Sequence, residues 1–397
     1  MRILHVVPSY FPAVRYGGPI HSVHGLCKAL AARGHDVEVF TTNVDGPQNS
    51  AVPLGVPVVL DCVKVWYFPV PALRRLYWSP GMAQALRQRL GSFDIVHTHS
   101  VFLWPTWVAA RIAGSLNVPY VLAPRGMLVR DLIRRKSPWL KRAWITLVER
   151  GNIAHAAMVH FTSRVEVEDT AALGFTMRES CIVPNGVDLP SIDEKCPRAS
   201  LMDVAKGEVR FLLFLGRINW KKGLDRLIAA MPFIPDCRLV IAGNDEEHFK
   251  PKLEVLAAKA GVSERIAFVG PVYGEDKVTL LRQALLLVVP SYSENFGNVV
   301  IEAMAAGCPV VVTPEVGAAD IVRESAAGAV LAGEPAILGA GIRDLICDSR
   351  ILKSMGEKGR EFVRHRYSWE TISLQMEDVY RHVIVGSRHS QRNTDAE

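Results

Sequence analysis

The chain has 397 residues, of which 49% are hydrophobic and 22% are charged, and its formal net charge is +6 at pH 7. This composition excludes a disordered or collagen-like protein. The 7 cysteines form no Cys-x-x-Cys pair and no Cys/His cluster with zinc spacing, which excludes a disulfide scaffold and predicts reduced thiols in the cytoplasm. No apolar run reaches the ~18 residues that span a bilayer, and Pro8 comes too early for a signal peptide, so we expect neither a membrane span nor export.

Positive charge is concentrated in the first half of the chain. Residues 1–185 carry a net charge of +9 and residues 186–397 carry −3, and the segment 125–150 alone carries +6. This asymmetry predicts an anionic partner for the first half, such as a nucleic acid, a membrane surface or a phosphorylated substrate. The basic residues lie in no nucleic-acid-binding motif, which disfavours a nucleic acid.

Short runs rich in Val and Ile alternate with helical patterns, which is typical of buried parallel strands. In the first half, strands are predicted at residues 2–7, 36–42, 94–99, 119–124 and 158–163. Between the first two strands, Gly17, Gly18 and Pro19 begin a predicted helix, and Gly34 ends it. Paired glycines at this point favour a loop that lets a phosphate or an acceptor approach the backbone, although a plain turn also fits.

The same alternation restarts at residue 210. Strands are predicted at residues 210–216, 238–243, 266–270, 285–291 and 309–313, with a helix from residue 223. The sequence therefore predicts an α/β protein of two doubly wound domains, residues 1–188 and 189–367, with a disordered tail at 386–397. In such sheets ligands bind beyond the carboxyl ends of the strands, where we looked for functional residues.

The segment PSYSENFGNVVIEAMAAGCPVVVT, residues 290–313, has the strongest functional pattern. A buried strand is followed by a polar turn and by a helix that begins near Gly297. The free N–H groups of a helix start, next to a glycine, favour binding of a phosphate. Glu294 and Glu302 flank this junction and are predicted to face the same ligand. The alternative is that Glu302 is only a solvent-exposed residue on the surface of the helix.

The segment GRINWKKG, residues 216–223, is the second functional pattern. A strand leads into a glycine turn with Arg217 and Lys222, which is how proteins hold a diphosphate, because Arg offers a fork of donors and Lys a point charge. The segment lacks the Gly-x-x-x-x-Gly-Lys-Ser/Thr pattern of a nucleotide-binding P-loop. A solvated basic turn is the alternative.

Two further candidates end strands of the first domain. His97 and His99 lie on one face of the strand 94–99, and for each the alternative is a hydrogen-bonded core histidine. Arg125 follows the next strand, where it is a candidate for binding a phosphate or the acceptor.

The basic segment 130–150 admits two interpretations. Ser137 and Pro138 begin a predicted helix with one apolar face made of Leu140, Ala143, Trp144, Leu147 and Val148. One hypothesis is that the helix binds peripherally to an anionic membrane. The other is that it is an ordinary surface helix whose basic side faces solvent. The candidate membrane residues are Arg134, Arg135, Lys136, Lys141, Arg142 and Trp144.

These motifs, in this order, resemble the retaining glycosyltransferases of family four. The resemblance rests on SYFPAVRYGGPIHSVHGLCKALAARGHDVEVFTT, IVPNGVD, GRINWKKG, FVG at 268–270, the 290–313 segment and YSWETISLQMEDVY, and it covers nearly the whole chain. It implies the GT-B fold, with two Rossmann-like domains facing across a cleft and a C-terminal helix at about 368–385 packed on the first. It also implies transfer of a sugar from a nucleotide-diphosphate-sugar donor, with retained anomeric configuration and without a metal.

The resemblance also assigns roles by position. Arg217 and Lys222 hold the donor diphosphate, Glu294 binds sugar hydroxyls, Glu302 binds the ribose, and His99 lies beside the donor sugar. The catalytic set is then His99, Arg217, Lys222 and Glu294. The other donor-binding candidates are Gly17, Gly18, Asn295, Phe296, Gly297, Asn298, Val299 and Glu302. The absence of an Asp-x-Asp motif agrees with the expectation of no metal.

The predicted function is a cytoplasmic glycosyltransferase that extends a lipid-linked or other glycan acceptor of a surface or exported polysaccharide. Two alternatives remain: another enzyme on the same fold, such as a sugar-nucleotide epimerase or a phosphorylase, and a non-catalytic nucleotide-sugar-binding protein. A dehydrogenase is disfavoured because no Gly-x-Gly-x-x-Gly follows the first strand of either domain.

Overall fold

The computed structural model describes residues 1–13, 17–129, 138–190, 210–245 and 247–394. Contacts divide the chain into two compact units. The first unit combines Met1–Gly186 with Trp369–Glu397, and the second is Val187–Ser368. The division falls two residues before the boundary predicted at 188/189.

The first unit is built on an eight-stranded sheet in the order β10-β9-β8-β7-β1-β2-β6-β5. Its neighbouring strands are parallel except for β5, which runs antiparallel to β6. Two short strands, β3 and β4, form a separate antiparallel pair. The strands are β1 Arg2–Val6, β2 Asp36–Thr42, β3 Val44–Asp45, β4 Gln48–Asn49, β5 Pro57–Leu60, β6 Val63–Phe68, β7 Ile95–His99, β8 Tyr120–Ala123, β9 Met158–Phe161 and β10 Ser180–Ile182.

All five strands predicted in this half are present, whereas the short pair β3 and β4 and the strands β5, β6 and β10 were not predicted. The predicted strands lie inside the sheet and are buried on both faces, which gives them continuous apolar runs. In β5 and β10 exposed residues alternate with partly buried ones, and in β6 exposed Lys64 interrupts the run. A search for continuous apolar runs therefore misses strands at the sheet margins.

Helices cover both faces of this sheet. Glycine at the N-cap and proline in the first turn start the helix Gly18–Ala32, as the sequence predicts. None of the described helices in the chain is both long and apolar enough to cross a bilayer. The helices of the first unit are Gly18–Ala32, Pro80–Arg89, Trp104–Ser115, Pro138–Trp144, a π-helical stretch Ile145–Glu149, Arg150–His155, Arg164–Ala171 and Trp369–Thr394, with 3-10 turns at Arg74–Leu76 and Leu90–Ser92.

The C-terminal helix Trp369–Thr394 packs on the helix Gly18–Ala32 of the same unit. Gly25 makes the approach possible, because a Cβ there would lie 2.2 Å from the ring of Trp369. Arg33 of the first unit pairs with Glu377 at 2.8 Å. The helix continues through Thr394, so the prediction of a disordered tail is wrong for residues 386–394, because a packed helix extends into polar sequence once it has formed. Residues 395–397 lie outside the described chain.

The second unit is built on a six-stranded parallel sheet in the order β13-β12-β11-β14-β15-β16. The strands are β11 Phe211–Leu215, β12 Arg238–Ala242, β13 Ile266–Gly270, β14 Leu286–Val289, β15 Val310–Val312 and β16 Gly328–Val330. The order reverses between β11 and β14, which makes that point the topological switch of a doubly wound sheet. The five strands predicted in this half form, and β16 is the one that was missed.

Both faces of the second sheet are covered by helices. Phe211 and Leu213 of β11 lie in one apolar cluster and Leu212 and Phe214 in another, so alternate residues of one strand serve the two sides of the sheet. The helices are Leu224–Ala230, Lys250–Lys259, Gly274–Gln283, Asn298–Ala306, Ala319–Ser325, Pro335–Ile346 and Ser349–Arg366, with 3-10 turns at Trp220–Lys222, Met231–Phe233 and Ser263–Arg265.

Candidate functional site

The two loops at the switch point of the second sheet contain both functional motifs. One loop follows β11 and contains residues 216–223, and the other follows β14 and contains residues 290–297. The backbone N–H of Tyr292 donates to the carbonyl of Lys221 at 2.7 Å, which joins the loops. Gly223 makes this approach possible, because its φ is +64° and a Cβ there would lie 1.9 Å from the carbonyl oxygen of Pro290. The two motifs therefore form one site.

Each predicted glutamate of this site faces a lysine. Lys222 forms an ion pair with Glu294, and both side chains are partly buried. The Nζ atom of Lys277 lies 3.1 Å from a carboxylate oxygen of Glu302. The structure thus brings Lys222 and Glu294 together. It adds Lys277, which sits in the helix Gly274–Gln283 without any motif that marks it.

Arg217 differs from these lysines. Its side chain is exposed, and it makes no hydrogen bond or ion pair with any other residue that the structure describes. It follows Gly216 at the carboxyl end of β11, on the same loop as Lys222. The loop therefore supplies one guanidinium whose donors are available and one ammonium already paired with a carboxylate.

The helix Asn298–Ala306 begins at this site. Its N-cap is Gly297, whose φ is +88°, and it has no side-chain cap and no acidic residue in its first turn. The loop before it is fixed by backbone hydrogen bonds, since the N–H of Glu294 donates to the carbonyl of Glu315 and the N–H of Gly317 donates to the carbonyl of Glu294. Phe296 is buried, whereas Asn295, Asn298 and Val299 are partly exposed. A helix start of this kind attracts an anion, because its N–H groups carry partial positive charge.

A chain of buried hydrogen bonds runs through the histidines of the first unit. His160 donates from Nε2 to the carbonyl of Val183 at 2.8 Å, so its Nδ1 is an acceptor in the neutral ring. The Nε2 of His97 lies 3.3 Å from that Nδ1 and donates to it. The Nδ1 of His97 in turn accepts from the hydroxyl of Tyr380 at 2.7 Å. His97 is thus a hydrogen-bonded core histidine, the alternative that the sequence left open for it.

His99 belongs to a second part of this network. The guanidinium of Arg125 approaches its Nδ1 at 3.3 Å from Nε and at 3.1 Å from Nη2, which makes Nδ1 an acceptor. The proton of the neutral ring is then on Nε2, which donates to Nδ1 of His5 at 2.9 Å. The ring of His99 is only 2% exposed, and both of its nitrogens contact protein groups. This geometry favours a core role for His99 over direct contact with a donor sugar.

Burial keeps all four histidines neutral. Burial, with a smaller effect of the Arg125 charge, lowers the pKa of His5 to about 3. Burial and the same charge also lower the pKa of His160 to about 3. For His97 and His99 burial again comes first, and the pKa of each lies well below the usual value for histidine.

The cluster of His5, His97 and His99 has the ligand spacing of a metal site but not its charge. One nitrogen from each ring lies within 4.8 Å of the others, and no further set of three potential ligands occurs in the described part of the chain. A divalent cation there would lie beside the guanidinium of Arg125, and Nδ1 of His5 and Nε2 of His99 are already hydrogen-bonded to each other. These residues therefore do not fit a metal centre.

Two buried glutamates hold the loops that follow β7 and β8. A carboxylate oxygen of Glu149 accepts from the N–H of Phe102 at 2.6 Å and from Nε1 of Trp144 at 2.8 Å. Glu166 accepts from the N–H of Gly126 at 2.5 Å and from the N–H of Thr162 at 2.8 Å. Burial raises the pKa of the Glu149 carboxyl. The sequence shows no pattern that links these glutamates to the loops, because the contacts join distant segments.

The basic helix of the first unit differs from its prediction. Leu147, which was assigned to the buried apolar face, is 82% exposed, and Trp139 is 71% exposed. The helix changes to a π-helical stretch at Ile145–Glu149, which turns the following side chains out of the 3.6-residue register. Trp144 instead packs edge-on against Trp107.

The remaining predicted residues of the first unit have separate positions. Arg142 is exposed and Lys141 is partly buried, whereas Arg134, Arg135 and Lys136 lie outside the described residues. Gly17 caps its helix at a φ of +74° with open space where a Cβ would be, and Gly18 is the first helical residue.

Two solved structures share the architecture of the whole chain. Sucrose-phosphate synthase from Thermosynechococcus elongatus superposes with a TM-score of 0.76 and 22% sequence identity, over 97% of this chain and 100% of that one. HepE of Anabaena, solved in complex with UDP-glucose, superposes with a TM-score of 0.73 and 19% identity, over 96% of this chain and 100% of that one. The fold of the chain is GT-B, that of a large class of glycosyltransferases.

Sequence comparisons identify the family within this class. The family model described as "Glycosyl transferase 4-like domain" matches residues 17–186, and the model "Glycosyl transferases group 1" matches residues 203–362. A D-inositol 3-phosphate glycosyltransferase of Mycobacterium sp. (strain JLS) is 38% identical over 353 residues, which cover 83% of this chain and 78% of that protein. An uncharacterized glycosyltransferase of Methanocaldococcus jannaschii is 28% identical over 399 residues, 96% of this chain and 98% of that one.

The chain belongs to the group 1 glycosyl transferases, and it is an enzyme that transfers a sugar from a nucleotide-sugar donor. The resemblance found in the sequence is thereby confirmed, and so are its fold and its class of activity. The alternatives of an epimerase, a phosphorylase and a non-catalytic binding protein gain no support.

Proposed function

We propose that this enzyme transfers a sugar from a nucleoside-diphosphate sugar to a glycan acceptor with retention of anomeric configuration and without a metal ion. The observation that carries the proposal is the site at the switch point of the second sheet. Exposed Arg217, paired Lys222 and the uncapped helix start after Gly297 occur together on two joined loops. Such a set suits the diphosphate of a donor.

The same groups suit the chemistry of the leaving group. As the glycosidic bond breaks, negative charge grows on the diphosphate, and fixed cations and amides stabilise that charge more in the transition state than in the ground state. A guanidinium binds two phosphate oxygens at once, whereas an ammonium acts as a point charge. Protein groups then supply the positive charge that a metal ion supplies in other transferases.

The two lysine–glutamate pairs suit an exchange of partners when the donor binds. The diphosphate replaces Glu294 as the ion-pair partner of Lys222. The carboxylate of Glu294 can then accept hydrogen bonds from sugar hydroxyls. In the same way the ribose hydroxyls donate to Glu302, which stays oriented by Lys277. The lysines therefore hold the two carboxylates in place without leaving a partly buried charge unpaired.

A thermal-shift screen tests the donor site. We expect one of UDP, GDP, ADP, CDP and dTDP to stabilise the protein, by ~2.7 kcal/mol at 100 times its dissociation constant. Lys222→Ala is expected to lose this stabilisation, and exposed Lys259→Ala, which removes the same charge from a distant helix, is expected to keep it. Turnover is expected to survive EDTA. No stabilisation by any of the five nucleotides, or reversible loss of turnover in EDTA, would contradict the proposal.

The acceptor is proposed to be a lipid-linked glycan at the cytoplasmic face of an anionic membrane, in the synthesis of a surface or exported polysaccharide. Exposed Trp139 and Leu147 lie on one segment with exposed Arg142, a combination that suits the interfacial region of a bilayer. Each basic residue at an anionic surface contributes ~1 kcal/mol of attraction.

Vesicle co-sedimentation tests this membrane contact. We expect binding to vesicles that contain phosphatidylglycerol and not to pure phosphatidylcholine. Leu147→Ser combined with Arg142→Gln is expected to weaken binding at least tenfold. Val255→Ser removes an exposed apolar residue from the second unit and serves as the control. Equal binding to the two kinds of vesicle would show that the segment is an ordinary solvent-exposed surface and does not bind anionic lipid.

A further inference from the structure

Arg125 lies at a position where a doubly wound sheet places its ligand. It follows β8 by two residues, and β8 neighbours β7 in the sheet. The order of the first sheet reverses between β7 and β1, so the loops after these strands flank its switch point. A charged residue here is within the region where substrates bind in this class of fold.

The charge of Arg125 has no carboxylate partner. Its side-chain hydrogen bonds are all with neutral groups. Nε and Nη2 contact Nδ1 of His99, and Nη1 donates to the side-chain oxygen of Asn185 at 2.9 Å. Among described residues it forms no ion pair. Glu166, whose charge acts on Arg125 from a distance, has its oxygens engaged with Gly126 and Thr162. Burial lowers the pKa of Arg125, which shows that the environment opposes its charge.

Two other arginines of the first unit have a carboxylate counterion. Arg89 donates to both carboxylate oxygens of buried Glu38, at 3.0 and 2.8 Å. Arg33 pairs with Glu377. A partly buried guanidinium without a counterion lowers the stability of the folded protein. Arg125 is such a residue, whereas Arg89 and Arg33 have counterions.

The side chain is also held in a fixed orientation. Arg125 has a φ of +56°, a conformation that non-glycine residues rarely adopt, and the N–H of the next residue is fixed by Glu166. His99 and Asn185 hold the guanidinium from two sides. A guanidinium carries more N–H donors than these contacts use, and the remaining ones suit the two oxygens of a carboxylate or phosphate. Strain of this kind is characteristic of functional sites.

We propose that Arg125 binds an oxyanion, a carboxylate or a phosphate, carried by the sugar portion of one of the two substrates. This inference rests on the proposed glycosyl transfer and adds the class of substrate to it. The oxyanion supplies the counterion that Arg125 lacks. The two sources are the transferred sugar, as in a uronic acid donor, and the acceptor, as in a phosphorylated or carboxylated glycan.

Calorimetry with matched pairs of ligands tests the proposal and separates the two sources. The donor arm compares UDP-glucuronate with UDP-glucose. The acceptor arm compares glucuronate and glucose 6-phosphate with glucose, each in the presence of saturating UDP. We expect the anionic member of at least one pair to bind at least tenfold more tightly than its neutral partner. The arm in which the preference appears identifies the substrate that carries the oxyanion.

Three variants assign the preference to Arg125. Arg125→Gln is expected to abolish it, and Arg125→Lys, which keeps the charge but loses the fork, is expected to retain part of it. Arg111→Gln removes the same charge from an exposed helix position and is expected to leave it unchanged. Circular dichroism and the melting temperature establish that each variant is folded. If Arg125→Gln is unfolded, Arg125→Lys takes its place, with a weakened preference as the expected result.

Two results would overturn the inference: no preference for an anionic ligand in either arm, or a preference that survives Arg125→Gln. Both arms require the nucleotide to bind in the second unit, so nucleotide binding is measured as a separate quantity. Binding of UDP, measured in the same titrations, is expected to be equal in the wild-type protein and in Arg125→Gln. If another of the five nucleotides binds in place of UDP, both arms are run with that nucleotide and its sugars. Failure of all five to bind would contradict the proposed function, whereas normal nucleotide binding without an anion preference would contradict only the role of Arg125.

Discussion

Mild acid is expected to destabilise the first unit through its buried histidines. His5, His97, His99 and His160 are fully buried, and each has a pKa lowered from 6.5, to about 3 for His5 and His160. The folded state keeps these rings neutral, whereas the unfolded chain binds protons as the pH falls below 6.5. Stability is therefore fully present above pH 6.5 and decreases as the pH falls from there toward about 3.

The magnitude follows from proton linkage. Each ring that is neutral when folded and protonated when unfolded lowers the free energy of unfolding by ~1.4 kcal/mol per pH unit. At about pH 5 the loss is ~2 kcal/mol for each histidine and ~8 kcal/mol for the four together, as an upper limit. A typical domain has a stability of about 5–15 kcal/mol, so the effect is large enough to unfold the first unit.

Urea unfolding, followed by tryptophan fluorescence at several values between about pH 7.5 and pH 5, measures this linkage. We expect the free energy of unfolding to fall with decreasing pH, and at the acid end its slope should correspond to the uptake of four protons on unfolding. His160→Gln is expected to reduce that number by one proton. Asp36→Asn is the control on the surface, because the pKa of the Asp36 carboxyl lies below the pH range of the experiment, and it is expected to leave the slope unchanged. A slope of one proton or less in the wild-type protein would refute the assignment of four neutral histidines.

Three further changes have expected outcomes. Gly223→Ala places a Cβ against the carbonyl of Pro290 at a positive φ, so we expect loss of UDP binding in calorimetry and a lower melting temperature. Trp369→Ala empties the space that the ring fills on the first unit and is expected to cost ~3–5 kcal/mol of unfolding free energy in urea titrations. Tyr380→Phe leaves Nδ1 of His97 without its donor and is expected to cost ~1–3 kcal/mol in the same assay, and no loss would show that the bond is not formed.

The sequence predicts the interior of both sheets and fails at their margins. The central strand β11 is apolar over its whole length because helices cover both of its faces. The strands β5 and β10 are partly exposed, so their stability comes from pairing with neighbours that a local window does not contain. The same limitation applies to the C-terminal helix, where packing on the first unit extends helical structure into residues whose polarity predicted disorder.

The candidate site of the second unit shows in the sequence because the components of each of its loops are close together along the chain. Arg217 and Lys222 share one loop with Gly223, and Glu294 shares another with Gly297, so each loop shows its glycine and its charge together. What the sequence did not contain is the pairing of the loops. Lys222 and Glu294 are 72 residues apart, and Lys277 joins Glu302 from a helix without a motif.

The features of the first unit depend on contacts over much longer distances in sequence. His97 meets Tyr380 across 283 residues, and His99 meets His5 across 94. In the sequence His99 ends a strand, as a substrate-binding histidine does, but the structure surrounds its ring with protein groups and leaves the charge of Arg125 without a counterion. Whether a strand-terminal residue serves the core or the substrate is decided by what the rest of the fold places against it. A charge that the fold leaves without a counterion is therefore a better indication of a ligand than the position alone.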